Sequence, residues 1–100
     1  MANERLLNRW KVTEALLERA RQALPEPSDQ QRPEYVAILG EYQEYLEHNE
    51  LGLAFDALEA LGHVVPSHKG FWKDLVRAAE SMGRTVKLTA LRTALSDAPD

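Results

Sequence analysis

No cysteine occurs among the 100 residues, which excludes a disulfide framework, a thiolate metal site and a cysteine nucleophile. Glycine is sparse, five in all and scattered, so no glycine-rich loop is present to cradle phosphates. No apolar run approaches membrane-spanning length. The opening MANERLLNRWKVTEALLERA carries charges every few residues, unlike the apolar centre of a signal peptide. Sustained alternation of β-branched residues with a period of two is also missing, so no sheet is expected. These absences predict a cytoplasmic protein without membrane contact.

What remains is ordinary for a soluble globular chain, with 44% hydrophobic and 28% charged residues. The length suits one domain over residues 1–100, large enough to bury a single core. Apolar spacing of three and four residues predicts an all-α fold, a compact bundle of four or five short amphipathic helices. The first runs from about Asn3 to Leu24, with Leu6, Trp10, Leu17, Ala20 and Leu24 on one face. Pro25 ends it, because the ring cannot follow a helical backbone. Pro25 to Pro33 is an internal loop, too short to separate domains.

Pro33 suits the first turn of the second helix, which reaches about Glu47 with Tyr35, Ile38, Leu39, Tyr42 and Leu46 inward. Gly40 within it suggests a close helix crossing. Asn49 then reads as the N-cap of a third helix, Glu50 as its first residue, and Gly62 as its stop. Ser67 reads as the cap of a fourth helix whose face is Phe71, Trp72, Leu75, Val76, Ala79 and Met82, ended by Gly83. Leu88, Leu91 and Leu95 outline a short fifth, and residues 97–100 are expected to fray.

Charge is distributed unevenly. Residues 33–68 hold seven acids and no Lys or Arg, whereas the flanking segments are slightly basic and the whole chain carries −4. An acidic middle repels phosphate backbones and favours a basic protein as partner over nucleic acid. Glu41, Glu44, Tyr45, Glu47, Asp56 and Glu59 are therefore the candidate partner-binding residues, Tyr45 adding apolar area with a polar tip. A solvated helix face would account for any one of these carboxylates taken singly.

Catalytic patterns are absent. His48, His63 and His68 lack metal-ligand spacing, and Ser28, Ser67, Ser81 and Ser96 stand in no glycine-flanked elbow. No enzyme activity, cofactor or metal is expected. A stripe of Lys69, Lys73 and Arg77 allows a helix-turn-helix reading, but the helix before it is acidic and Phe71-Trp72 looks like core.

Tyr45-Leu46-Glu47-His48, followed by Asn49-Glu50, Leu51-Gly52-Leu53-Ala54 and the Leu58/Leu61 spacing, resembles the central segment of small helical immunity proteins from bacterial polymorphic-toxin systems, in particular the Maf-type immunity family. The resemblance covers about a fifth of the chain. It implies a cytoplasmic antidote that binds and blocks a toxin domain, often a nuclease, whose phosphate-binding cleft is basic. On this resemblance Glu47, Asn49, Glu50 and Gly52 mark the family. Asn49, Glu50 and Gly52 would build a structural corner, with Gly52 letting the third helix approach a neighbour.

Two functional expectations follow. The first is a non-enzymatic inhibitor that binds a basic toxin domain through an acidic face on helices two and three. The alternative is a small regulatory or adaptor protein that binds helices or pairs with itself through Phe71, Trp72 or the leucine-rich tail. Monomer and homodimer are both open.

Overall fold

The computed structural model describes the backbone of residues 2–99 and the side chains from Trp10 onward. Arg5, Leu6, Leu7, Arg9 and Asp100, read from sequence as face or tail residues, have side chains outside the described residues. Five α-helices follow one another: α1 Ala2–Gln22, α2 Arg32–Glu47, α3 Leu51–Val64, α4 Lys69–Met82 and α5 Leu88–Asp97. A 3-10 turn, Thr85–Lys87, leads into α5, and no strand occurs among the described residues. The bundle is elongated, 48 × 28 × 20 Å.

α2 and α3 form a helical hairpin, while α1 packs along α4 and α5 covers α4 from another side. α3 touches α1 and α4 as well, so it joins the hairpin to the rest. The core follows the three- and four-residue spacing: Leu17 and Ala20 from α1, Tyr42 from α2, Phe55, Leu58 and Leu61 from α3, Phe71 and Leu75 from α4, and Leu91 from α5 are fully buried. Trp10 sits on the rim, 37% exposed, rather than in this core.

α2 begins a turn before its regular hydrogen bonding. The Gln31 side chain accepts from the Ser28 N–H at 2.9 Å and the Ser28 hydroxyl accepts from the Gln31 N–H at 3.3 Å. This reciprocal pair is a capping box, and it satisfies two amides that Pro33 alone leaves open.

Three of the expected punctuation marks work differently. Gly62 does not stop α3, which continues to Val64. A Cβ there would lie 2.4 Å from the Phe71 ring and 2.8 Å from Trp72, so Gly62 is a packing residue. Its missing side chain admits the edge-on Phe71–Trp72 pair, whose ring centroids are 4.9 Å apart. Ser67 does not cap α4; its buried hydroxyl donates back to the Val65 carbonyl at 3.0 Å, and no side chain caps α4. Gly40 is exposed with nothing near its Cβ position, so no close crossing occurs there. Gly83 ends α4 as expected, with φ of 72° and the Arg84 N–H returning to the Ala79 carbonyl at 2.8 Å.

The tail is docked up to Pro99. Ala98 packs on the core, and the Pro99 carbonyl accepts from the Lys69 N–H at 3.0 Å. That bond serves one of the open amides at the start of α4. Phe71 and Trp72 are buried, and Leu88, Leu91 and Leu95 pack on or within the core. The self-pairing surface of the alternative reading is therefore already used inside the protein.

The two helical glycines should respond in opposite directions. Gly62→Ala must displace two rigid rings and is expected to destabilise by about 1–3 kcal/mol. Gly40→Ala adds a methyl to open space and should stabilise by about 0.5–1 kcal/mol through helix propensity. Urea denaturation of the two variants beside the parent measures both.

Candidate partner-binding surface

The site begins with the sidedness of α2. Tyr42 points inward and is fully buried. Its hydroxyl donates to Glu18 Oε2 at 2.9 Å, while Arg21 Nε donates to Glu18 Oε1 at 2.8 Å. Burial, and next the bond to Glu18, push the Tyr42 phenol well above its ordinary value near 10. The Arg21 guanidinium is likewise raised, first by its bond to Glu18. With Tyr42 held inside, Glu41, Glu44 and Glu47 are exposed and Tyr45 is half-buried.

The corner after α2 is built by Asn49, but not as an N-cap. Asn49 has φ of 58°, the left-handed region that asparagine tolerates better than other residues with a side chain. Its N–H donates to the Leu46 carbonyl at 3.1 Å and the Glu50 N–H donates to the Tyr45 carbonyl at 2.8 Å. This is the Schellman closure of a helix C-terminus. Glu50 occupies the N-cap position of α3 without a side-chain bond. Asn49 thus ends the second helix and Glu50 opens the third.

Gly52 lies beside α4. A Cβ there would meet Arg84 at 3.8 Å and Met82 at 4.0 Å, ordinary contacts, so glycine is not required for the approach. The Gly52 carbonyl accepts from Arg84 Nη1 at 3.0 Å. The same guanidinium pairs with Asp56 at 3.0 Å and lies 5.4 Å from the centre of the Phe55 ring. Lys87 Nζ binds Glu59 at 2.9 Å and stands 3.8 Å from Asp56.

These pairs correct the expected surface. The acids of α3 are neutralised by Arg84, just before the 3-10 turn, and Lys87, its last residue, so an unpaired anionic face does not extend over both helices. It is confined to α2 and the corner. There Glu34, Glu41, Glu44, Glu47 and Glu50 are exposed, and no ion pair reaches them among the described residues. His48 sits in their midst; its Nδ1 lies 2.9 Å from the Glu44 carbonyl. That backbone bond, followed by the neighbouring carboxylates Glu44, Glu50 and Glu47, raises the imidazole above its ordinary value.

Three of the six candidate residues nevertheless come together. Glu41, Tyr45 and Asp56 line a groove of about 320 Å³ between α2 and α3, with Ile38, Leu53, Ala57 and Ala60 as its apolar wall and floor. Leu53 is 47% exposed there. Sequence reading passed over it, although its place outside the Leu51, Ala54, Phe55, Leu58 and Leu61 stripe marked it as a leucine with no core to enter. Glu44 projects away from this groove and Glu47 lies on the far flank by helical phase. Glu59 stays with Lys87.

Among the described residues no group of histidine and carboxylate side chains could hold a metal ion. The Ser81 hydroxyl meets that of Thr13 at 2.5 Å, and His63 stacks at 5.2 Å on Trp72. No described helix is long and apolar enough to cross a membrane. No family model matches the chain, and no characterised protein or solved structure is significantly similar to it.

Tyr42→Phe isolates the phenol. It should lower stability by about 1–2 kcal/mol at neutral pH, since a bond to a carboxylate is lost. The phenol is raised in the folded state, so its contribution is fully present below pH 10, the ordinary tyrosine value. It disappears as pH rises beyond that. The stability gap between parent and variant should therefore narrow in alkali, as chemical denaturation across pH 8 to about 11 would record.

Proposed function

We propose that this chain is a non-enzymatic, immunity-type protein of bacterial origin that acts in the cytoplasm, binding and neutralising a basic toxin domain through the α2 side of the hairpin. The observation that carries this reading is the set of five exposed carboxylates, Glu34, Glu41, Glu44, Glu47 and Glu50, with no ion pair among the described residues, while both α3 acids are paired. A protein that only needed a soluble face could have mixed its charges there. Concentrated single-sign charge raises the association rate of an oppositely charged partner. The resemblance of residues 45–61 to Maf-type immunity proteins supports the same class. A nuclease is the toxin chemistry that such an anionic row suits best, because its substrate is a polyanion.

The probe is the product of the reading frame beside this chain's gene, where this reading requires a toxin domain. Co-expression of the two should rescue growth and yield a 1:1 complex that weakens as salt is raised. Glu44→Lys with Glu47→Lys should abolish rescue and leave the circular dichroism and melting temperature unchanged, because both side chains are exposed. Full rescue by the double variant would remove the acidic row from the function.

His48 gives an independent readout. Its imidazole is raised first by the Glu44 carbonyl and then by the surrounding carboxylates. A cationic partner that covers those carboxylates without touching the backbone bond should lower the His48 pKa, as ¹H NMR titration of the complex would measure. A partner seated elsewhere leaves it in place.

A further inference from the structure

We infer that the α2–α3 groove is a seat for one amphipathic helix of the partner, with its cations turned toward α2. This inference rests on the reading that the partner is a basic protein, and it adds the form of the segment that enters. The first argument is spacing. Along α2 the groove is lined by Ile38, Glu41 and Tyr45; along α3 its apolar lining is Leu53, Ala57 and Ala60. The first row advances by three and four residues and the second by four and three, the spacing at which one helix receives the side chains of another.

Size is the second argument. From Ile38 to Tyr45 the groove spans about 10 Å at 1.5 Å per residue, two helical turns. Ala57 and Ala60 keep its floor low, while Tyr45 and the half-exposed Leu53 stand at one end as apolar contacts. A flat hydrogen-bonding edge, which an extended peptide needs, is absent because both walls are helices with internally paired backbones.

Charge sets the orientation. On the α3 side Asp56 is held by Arg84 and Lys87, so a further cation meets neutralised acid and two existing cations. On the α2 side Glu41, and Glu34 two turns earlier, carry no ion pair among the described residues. An incoming helix therefore fits with a leucine-type stripe on the floor and lysine or arginine two turns apart on the flank facing α2. The asymmetry also opposes the same helix turned end for end about its stripe.

The test uses a synthetic helix of about 14 residues, built from leucine, alanine and lysine with the lysines on one flank of the leucine stripe. A peptide of the same composition, scrambled to break the stripe, is the control. Amide NMR titration of the full chain should show shifts confined to the α2–α3 groove with the first peptide. Leu53→Asp and Glu41→Lys should each weaken that binding by about tenfold, and Val86→Asp, at a residue 94% exposed, should leave it unchanged. Equal binding of the scrambled peptide would overturn the helical seat and leave the acidic-row reading standing. Failure of both lysine peptides to bind would overturn the two together. Dilution-dependent shifts of the groove without peptide would identify a second copy of this chain as the occupant and overturn the proposal.

Discussion

The hydroxyl of Tyr42 is the contact that ties α2 to α1. α2 packs along α3, but its connection to α1 is made through long side chains rather than close backbone approach. A cleft of about 390 Å³, lined by Lys11, Glu14, Ala15, Glu18 and Leu46, separates the two helices. Across that gap the phenol reaches Glu18, which Arg21 holds in place from one turn further along α1. A hydrogen bond to a charged group is worth about 1.5–3 kcal/mol, and it is also directional. With Tyr42 buried and Tyr35, Ile38, Leu39 and Leu46 packed beside it, the carboxylates at the other phases of α2 are turned outward. The anionic row is thus the reverse of the face that α2 buries.

The electrostatics divide along the hairpin for a related reason. Exposed ion pairs contribute only about 0–1 kcal/mol each, so Arg84 and Lys87 do little for stability taken singly. Their larger effect is to decide which carboxylates remain free. Gly83 turns the chain sharply with a left-handed φ, and from the segment that follows the Arg84 and Lys87 side chains reach Asp56 and Glu59 of α3. Arg84 and Lys87 together neutralise two of the seven acids in residues 33–68. The other five have no ion pair among the described residues, four of them on α2 and Glu50 at the start of α3.

Most of the fold could be read from residue spacing, because helical periodicity and proline or glycine breaks are local signals. The α1 stripe through Leu17 and Ala20, the break at Pro25 and the stop at Gly83 needed no knowledge of neighbours. Residues whose role is set by distant contacts could not be read this way. Gly62 resembles a helix stop until the Phe71 and Trp72 rings are seen to occupy its Cβ position. Ser67 resembles a cap, yet its hydroxyl turns back to α3. Asn49 sits between two helices and serves the earlier one, a choice that depends on φ rather than identity. The pairing of Asp56 and Glu59 was hidden for the plainest reason: their partners lie 28 residues away in the chain, outside any window used to judge local charge. Glu44 and Glu47 were legible as exposed because helical phase opposes them to Tyr42.

The groove and the acidic row do different physical work, and neither suffices by itself. A two-turn groove buries far less than the roughly 800 Å² per partner of a stable protein interface. Carboxylates on the rim speed encounter but add little affinity once solvated and screened. A tight complex therefore requires the partner to extend beyond the groove across the outer face of α2, so that Glu44 is enclosed rather than skirted. Enclosure is the step that converts weak surface charges into strong ones, because a carboxylate removed from water interacts with its cation in a lower dielectric. It also penalises any partner that brings no cation to meet it. Leu53 and Tyr45 supply the apolar anchor that keeps water out at one end of that face. On the proposed reading, discrimination between partners would come from unmet carboxylates, and residence time from the two apolar side chains of the groove.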